Sequence, residues 1–158
     1  MDTIFDKQNL KKALIQQQNE INDHTIYKIL ASYQSDENNK KIFEKISKEE
    51  KIKQNKIAII EVLEVYTTSI LVDTFGDIPY TEALDPEKFP SPKYDKAIDI
   101  YKDLFAKLDK AYAKFDSSFA SFGASDFIYS GNIAKWKIFA NSLMTAMFKS
   151  RWVFSITL

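Results

Sequence analysis

Few side chains in this 158-residue chain have the type and spacing to do chemistry. Two pairs of carboxylates stand out, Asp73 with Asp77 and Glu61 with Glu64. Paired carboxylates can cleave a glycosidic bond, one as acid and one as base or nucleophile. Both pairs have a simpler reading. Glu61 and Glu64 give an apolar helix its wet edge. Asp73 and Asp77 flank a helix end, where carboxylates accept hydrogen bonds from turn amides. The only histidine is His24, placed by its neighbours Asn22 and Asp23 in a turn and expected to be solvated. With one histidine and no cysteine, neither a nucleophile–base triad nor a zinc site is available in its usual form. No glycine-rich phosphate cradle occurs. Phe119, Phe122, Phe127 and Tyr129 lie in one loop and could stack on a sugar ring, but are expected to pack back over the helices. The expectation is therefore a protein that is not an enzyme, with no catalytic residue, no metal and no cofactor, and with ligand-binding residues that the sequence leaves unknown.

Composition narrows the class further. The 22 basic and 22 acidic residues cancel, which argues against a nucleic-acid partner. The lysines at 40, 41, 45, 48, 51, 53 and 56 are interleaved with Glu37, Glu44, Glu49 and Glu50, and read as a solvated helix face. Three glycines and four prolines suit a helical protein better than a β-sandwich. No apolar run approaches the ~20 residues of a membrane-spanning helix. The start, MDTIFDKQN, lacks the charged and apolar regions of a signal peptide.

The elements that must position these residues follow from periodicity. Residues 7–21 read as a short helix carrying Leu10, Leu14 and Ile21. Thr25 is expected to cap a second, carrying Ile26, Ile29, Leu30 and Tyr33. Residues 35–39 form a turn cluster, and Ile42, Phe43 and Ile46 mark a third segment. Ser47-Lys48-Glu49-Glu50 has the pattern of a capping box, so a central helix is predicted over about 48–75. Its stripes are Ile59, Leu63, Tyr66, Ile70, then Ile60, Thr67, Leu71, Phe75, then Val62, Val65, Val72. A helix apolar on most sides is expected to be buried on most sides. Gly76 ends it in a left-handed conformation, and Pro79 starts an extended connection over 77–93 that holds all four prolines. Residues 93–115 are a strongly amphipathic helix, residues 116–131 a loop, and a last helix runs over 132–152 from an Asn132 cap. The final WVFSITL is uncharged and β-prone. Tyr66, Ile70, Leu104, Leu108, Trp136 and Leu143 are expected to share one core.

Two strings carry a resemblance. LVDTFGDIPYTEAL at 71–84 resembles the hallmark of SusD/RagB-type proteins, in the residues Asp73, Phe75, Gly76, Asp77, Ile78, Pro79, Tyr80, Glu82, Ala83 and Leu84. DFIYSGNIAKWKIFANSLMTAMFKSR at 126–151 resembles the family's later helix, in Asp126, Tyr129, Gly131, Asn132, Lys135, Trp136, Phe139, Ala140, Asn141, Ser142 and Leu143. The "L-R-x-A-x-R" continuation of that helix is missing after Arg151. The resemblance implies an all-α, tetratricopeptide-like helical array. It implies an outer-membrane, surface-exposed lipoprotein that binds an oligosaccharide, or a peptide in some relatives, and hands it to a SusC-like TonB-dependent transporter. Such proteins are about three times this length, so residues 1–158 are expected to be the N-terminal helical portion, without leader, lipid-anchor cysteine or C-terminal body. The alternative is a helical protein-interaction scaffold with no small-molecule ligand. Apolar surface left uncovered on the central helix and at residues 152–156 would make the isolated piece marginally stable and prone to self-association.

Overall fold

The computed structural model describes residues 23–156, with side chains from 24 to 149. The helix expected over 7–21 lies outside the described residues. Four α-helices dominate the described part: α1 (Asp23–Tyr33), α2 (Glu37–Phe75), α3 (Ala97–Lys114) and α4 (Ile133–Ile156). Two two-residue strands, β1 (Ile78–Pro79) and β2 (Tyr94–Asp95), and a 3₁₀ turn at Gly123–Ser125 complete them. The fold is all-α. The chain divides into two compact units, Met1–Lys53 and Gln54–Leu158.

In the first unit, Asp36 starts α2. Its carboxylate accepts the amides of Asn38 (2.8 Å) and Asn39 (3.3 Å), two of the donors that a helix start leaves without partners. The turn cluster is thus a cap, and the helix begins about ten residues before the predicted start. Ser47 lies inside α2 rather than capping it. It is buried, and its hydroxyl donates to the His24 carbonyl (3.1 Å) and sits 2.6 Å from His24 Nδ1. His24 Nδ1 is also 2.9 Å from the Ser47 carbonyl. His24 is therefore a half-buried member of α1 rather than a solvated turn residue. Thr25 likewise lies within α1. Ala31 is buried, and Tyr27 stacks on Phe43.

In the second unit, α2 from Gln54 onward packs with α3 and α4. The buried positions of α2 are Asn55, Ala58, Ile59, Val62, Val65, Ser69 and Val72. Apart from Ile59 they advance by alternating steps of three and four, the spacing of a single seam facing neighbouring helices. Among the described residues, this stretch of α2 is thus buried along one side. Ile60, Tyr66, Ile70, Leu71 and Phe75 are exposed. Tyr66 and Ile70 belong to this outer surface, although Tyr66 keeps an edge contact with Phe139. Leu104, Leu108, Trp136 and Leu143 do share the core, with Ile100, Tyr101, Ala140 and Met147. Apolar residues on several faces cannot reveal by themselves which face is covered.

Helix α3 starts four residues later than predicted because Tyr94 and Asp95 pair antiparallel with Pro79 and Ile78. Helix α4 continues to Ile156, so the β-prone end is helical through that residue.

Candidate functional site

The two strings that could carry function become the two connections between helices of the second unit. In the first, Gly76 adopts φ +74° and its amide closes on the Val72 carbonyl (2.8 Å), ending α2. Asp77 then reaches twenty residues ahead. Its Oδ1 accepts the Ala97 amide (2.8 Å) at the start of α3, whose own cap residue, Lys96, has no side-chain bond to offer. Asp73 accepts the hydroxyl of the buried Tyr101. Asp73 and Asp77 are thus held by different partners and bind the end of α2 to the start of α3.

Asp95 performs the matching task from β2. Its carboxylate accepts the amides of Tyr80 (3.2 Å) and Thr81 (2.7 Å) and the Thr81 hydroxyl (2.9 Å). The Thr81 amide, above all, holds its carboxyl below the usual range. Glu82 accepts the Lys93 amide (3.0 Å) and pairs with its ammonium (3.3 Å), which lowers its carboxyl likewise. Tyr80 donates to Asp103 while Lys107 lies over its ring, 5.1 Å from the centroid. Burial, followed by Asp103, pushes the Tyr80 phenol up. Burial opposes the charge on Lys107, but Glu64 at 2.8 Å and Tyr80 outweigh it and raise the ammonium.

Glu61 and Glu64 do not form a reacting pair either. Each bridges α2 to α3, Glu61 to Lys114 (2.5 Å) and Glu64 to Lys107. The wet edge inferred for them is a line of cross-helix ion pairs.

The second connection, 115–132, is organised by two buried polar side chains. Asp126 accepts the amides of Ile128 (2.9 Å), Tyr129 (3.2 Å) and Gly131 (2.9 Å) and the indole N–H of Trp136 (2.6 Å). Burial pushes its carboxyl up, yet the Trp136 indole and these amides hold it below the usual range. Ser130 and Gly131 both take left-handed conformations (φ +53° and +75°) so that the loop can wrap the carboxylate. Gly131 has a second constraint: a Cβ there would lie 2.6 Å from the Gly123 amide nitrogen. Asn132 caps α4 through the Lys135 amide (3.1 Å), as expected.

Asn55 is the residue that sequence reasoning missed. It is fully buried on α2 and donates to the carbonyls of Asp116 (2.9 Å), Phe119 and Ala120 (both 3.1 Å) while accepting the Asp116 amide (2.9 Å). The signal was an amide side chain three residues before Ala58 on the buried seam, where a polar group must find partners. Of the loop aromatics, Phe122 and Tyr129 pack against the core as expected, and Tyr129 meets Trp136 edge-on (5.1 Å). Phe127 is exposed instead.

Among the described residues, no group of three or more His, Cys, Asp or Glu could hold a metal ion, and no helix is long and apolar enough to cross a membrane. The motif residues are brought together as two structural clamps. No curated protein matches the chain. Residues 3–148, which include both clamps, match the family model of SusD-like proteins described as "starch-binding associating with outer membrane", and the chain belongs to that family.

Proposed function

We propose that this chain is a non-catalytic, outer-membrane-associated component of glycan uptake, which binds starch-type oligosaccharides and passes them to a SusC-like TonB-dependent transporter. The family match across 3–148 is the observation that carries this reading. The engagement of Asp73, Asp77, Glu61 and Glu64 in separate structural contacts supports the non-catalytic part. A reacting carboxylate pair would have to face one bond between them. Capture and handover require no bond to change. Lipid anchorage and exposure at the cell surface belong to the same proposal.

A second reading, a helical scaffold that binds only protein, is favoured by one observation: Ile60, Ile70, Leu71 and Phe75 are exposed on α2. Large exposed apolar surfaces commonly mark association sites. Calorimetry with maltoheptaose, run beside a reducing-sugar assay, separates the readings. Saccharide binding without release of reducing ends is expected for the uptake component. Release of reducing ends would overturn the non-catalytic reading. Absence of binding, together with concentration-dependent association, would favour the scaffold.

A further inference from the structure

Of the four aromatic side chains in the loop 116–131, Phe122 and Tyr129 pack on the core and Phe119 is half-buried. Phe127 is 97% exposed, the most exposed aromatic among the described residues. Its exposure is built into the loop. Asp126 Oδ1 accepts the amides of Ile128 (2.9 Å) and Tyr129 (3.2 Å), so Phe127 is the apex of a turn closed over the buried carboxylate. The Ser130 amide returns to the Asp126 carbonyl (2.8 Å), and the Asp126 amide to that of Gly123 (3.1 Å). The backbone on both sides of Phe127 is therefore fixed before any ligand arrives, which removes an ordering cost from binding.

A single exposed apolar side chain is ordinary. The company of this one is not. Ser125 and Ser130 lie in the same turn, two residues before the ring and three after it, and both are exposed. Among the described residues neither hydroxyl has a hydrogen-bond partner. Ile128, also exposed, widens the apolar surface. The chain is 28% charged, yet residues 117–134 hold one charged side chain, Asp126, and it is buried. Lys56 reaches this loop at Phe122, 5.6 Å from the ring centroid. A flat ring beside free hydroxyls on an uncharged loop matches a neutral pyranose. The axial C–H groups of one sugar face can pack on the ring, while its hydroxyl edge meets the serines. An anionic glycan would call for fixed cations at the same place, and a protein anchor for a wider dry patch.

We propose that Phe127 is a stacking platform for one sugar unit of a neutral oligosaccharide, with Ser125 and Ser130 as its hydrogen-bonding flanks. The inference rests on the uptake reading above and gives it a position in the chain. The buried Asp126 carboxylate touches no sugar; it acts as a positioning residue that holds the turn under the ring.

The test is calorimetry of the full chain with maltoheptaose, beside a thermal melt of each free variant. Phe127→Ala is expected to weaken binding roughly tenfold or more with no change in Tm, since the ring covers nothing in the fold. Phe127→Leu is expected to lose about as much, because it keeps apolar volume but offers no flat face. Phe127→Trp should bind at least as tightly as the parent. Ser125→Ala should weaken binding about threefold, the size of one hydrogen bond. Trigalacturonate, a chain of similar rings that carry carboxylates, should bind far more weakly than maltoheptaose. If maltoheptaose does not bind the parent, the uptake reading falls and this inference with it. If the parent binds and Phe127→Ala binds equally well, the inference alone falls. Parental affinity in Phe127→Leu would overturn the stacking platform, and so would a drop in Tm for Phe127→Ala, which would assign the ring to the fold. Equal affinity for trigalacturonate would overturn the preference for a neutral ligand.

Discussion

The two connections of the second unit solve the same problem by different means. Both join antiparallel helices, and both turn on a carboxylate that gathers backbone amides. In 77–95 the carboxylates of Asp95 and Glu82 are only partly buried and fasten one extended strand of chain to another. In 115–132 the Asp126 carboxylate and the Asn55 carboxamide are buried, and the loop is wound around them. Water can replace a lost partner at an exposed clamp. At a buried one, every group left behind remains desolvated and unpaired. The same kind of hydrogen bond should therefore matter much more in the second connection than in the first.

Replacing Asp126 with Ala is the strongest way to break that contrast. Three amides and the Trp136 indole lose their acceptor, and a loss of roughly 3–5 kcal/mol is expected in a urea titration. A loss under about 1 kcal/mol would mean that water reaches the loop interior. The same carboxyl sets an acid limit. Its pKa is depressed in the folded protein, so its contribution is present above the unfolded value near 3.9 and lost as pH falls through the lower folded value. The parent should consequently lose stability more steeply than Asp126→Asn below about pH 4.

Gly131 and Gly76 sharpen the comparison because their backbones are alike. Both have φ near +75°, but a Cβ at Gly131 meets Gly123 backbone at 2.6 and 2.8 Å whereas one at Gly76 meets nothing. Gly131→Ala is expected to cost about 3 kcal/mol or more, since backbone would have to move. Gly76→Ala should cost about 1 kcal/mol from conformation alone. Equal Tm shifts for the two would refute the steric account. Between them falls Asn55→Ala, at roughly 2–4 kcal/mol for the loss of its bonds to three carbonyls and an amide at a buried position. Its clearest signature would be faster hydrogen exchange of the Asp116 amide. The smallest effect is expected for Asp95→Asn. It should leave the melt almost unchanged and show itself only as faster exchange at the Thr81 amide.

The sequence made the first connection easier to read than the second. Gly76 and Pro79 state where a helix must stop and where the chain must extend, and both are local rules. Asp126 was recognised only as part of a string, because its partners are backbone amides that any sequence could supply. Asn55 was overlooked since its partners lie more than sixty residues ahead. The helices were legible from periodicity, yet the burial of α2 was overestimated. Ile60, Leu71 and Phe75 have the side chains of a core and no described neighbour to make them one. The start of α2 was misplaced for a related reason. Ser47 and Glu50 have the spacing of a cap, but Asp36 had already supplied one, and Ser47 was free to meet His24.

Helix α2 also acts as a gauge. At one end Asn55 grips the chain just after α3, and at the other Asp77 grips the first residue of α3. The helical stretch 55–75 measures about 30 Å and α3 about 26 Å at 1.5 Å per residue. Each helix is thus cut to the length of the other. One residue inserted after Ile60 would turn Val62, Val65 and Val72 away from the seam by about 100°. Seven inserted residues would restore the facing but push the two grips about 10 Å further apart. Length changes in this hairpin can survive only as matched pairs, one in each helix, so related chains should differ in the loops and agree in the residue count from Asn55 to Asp77.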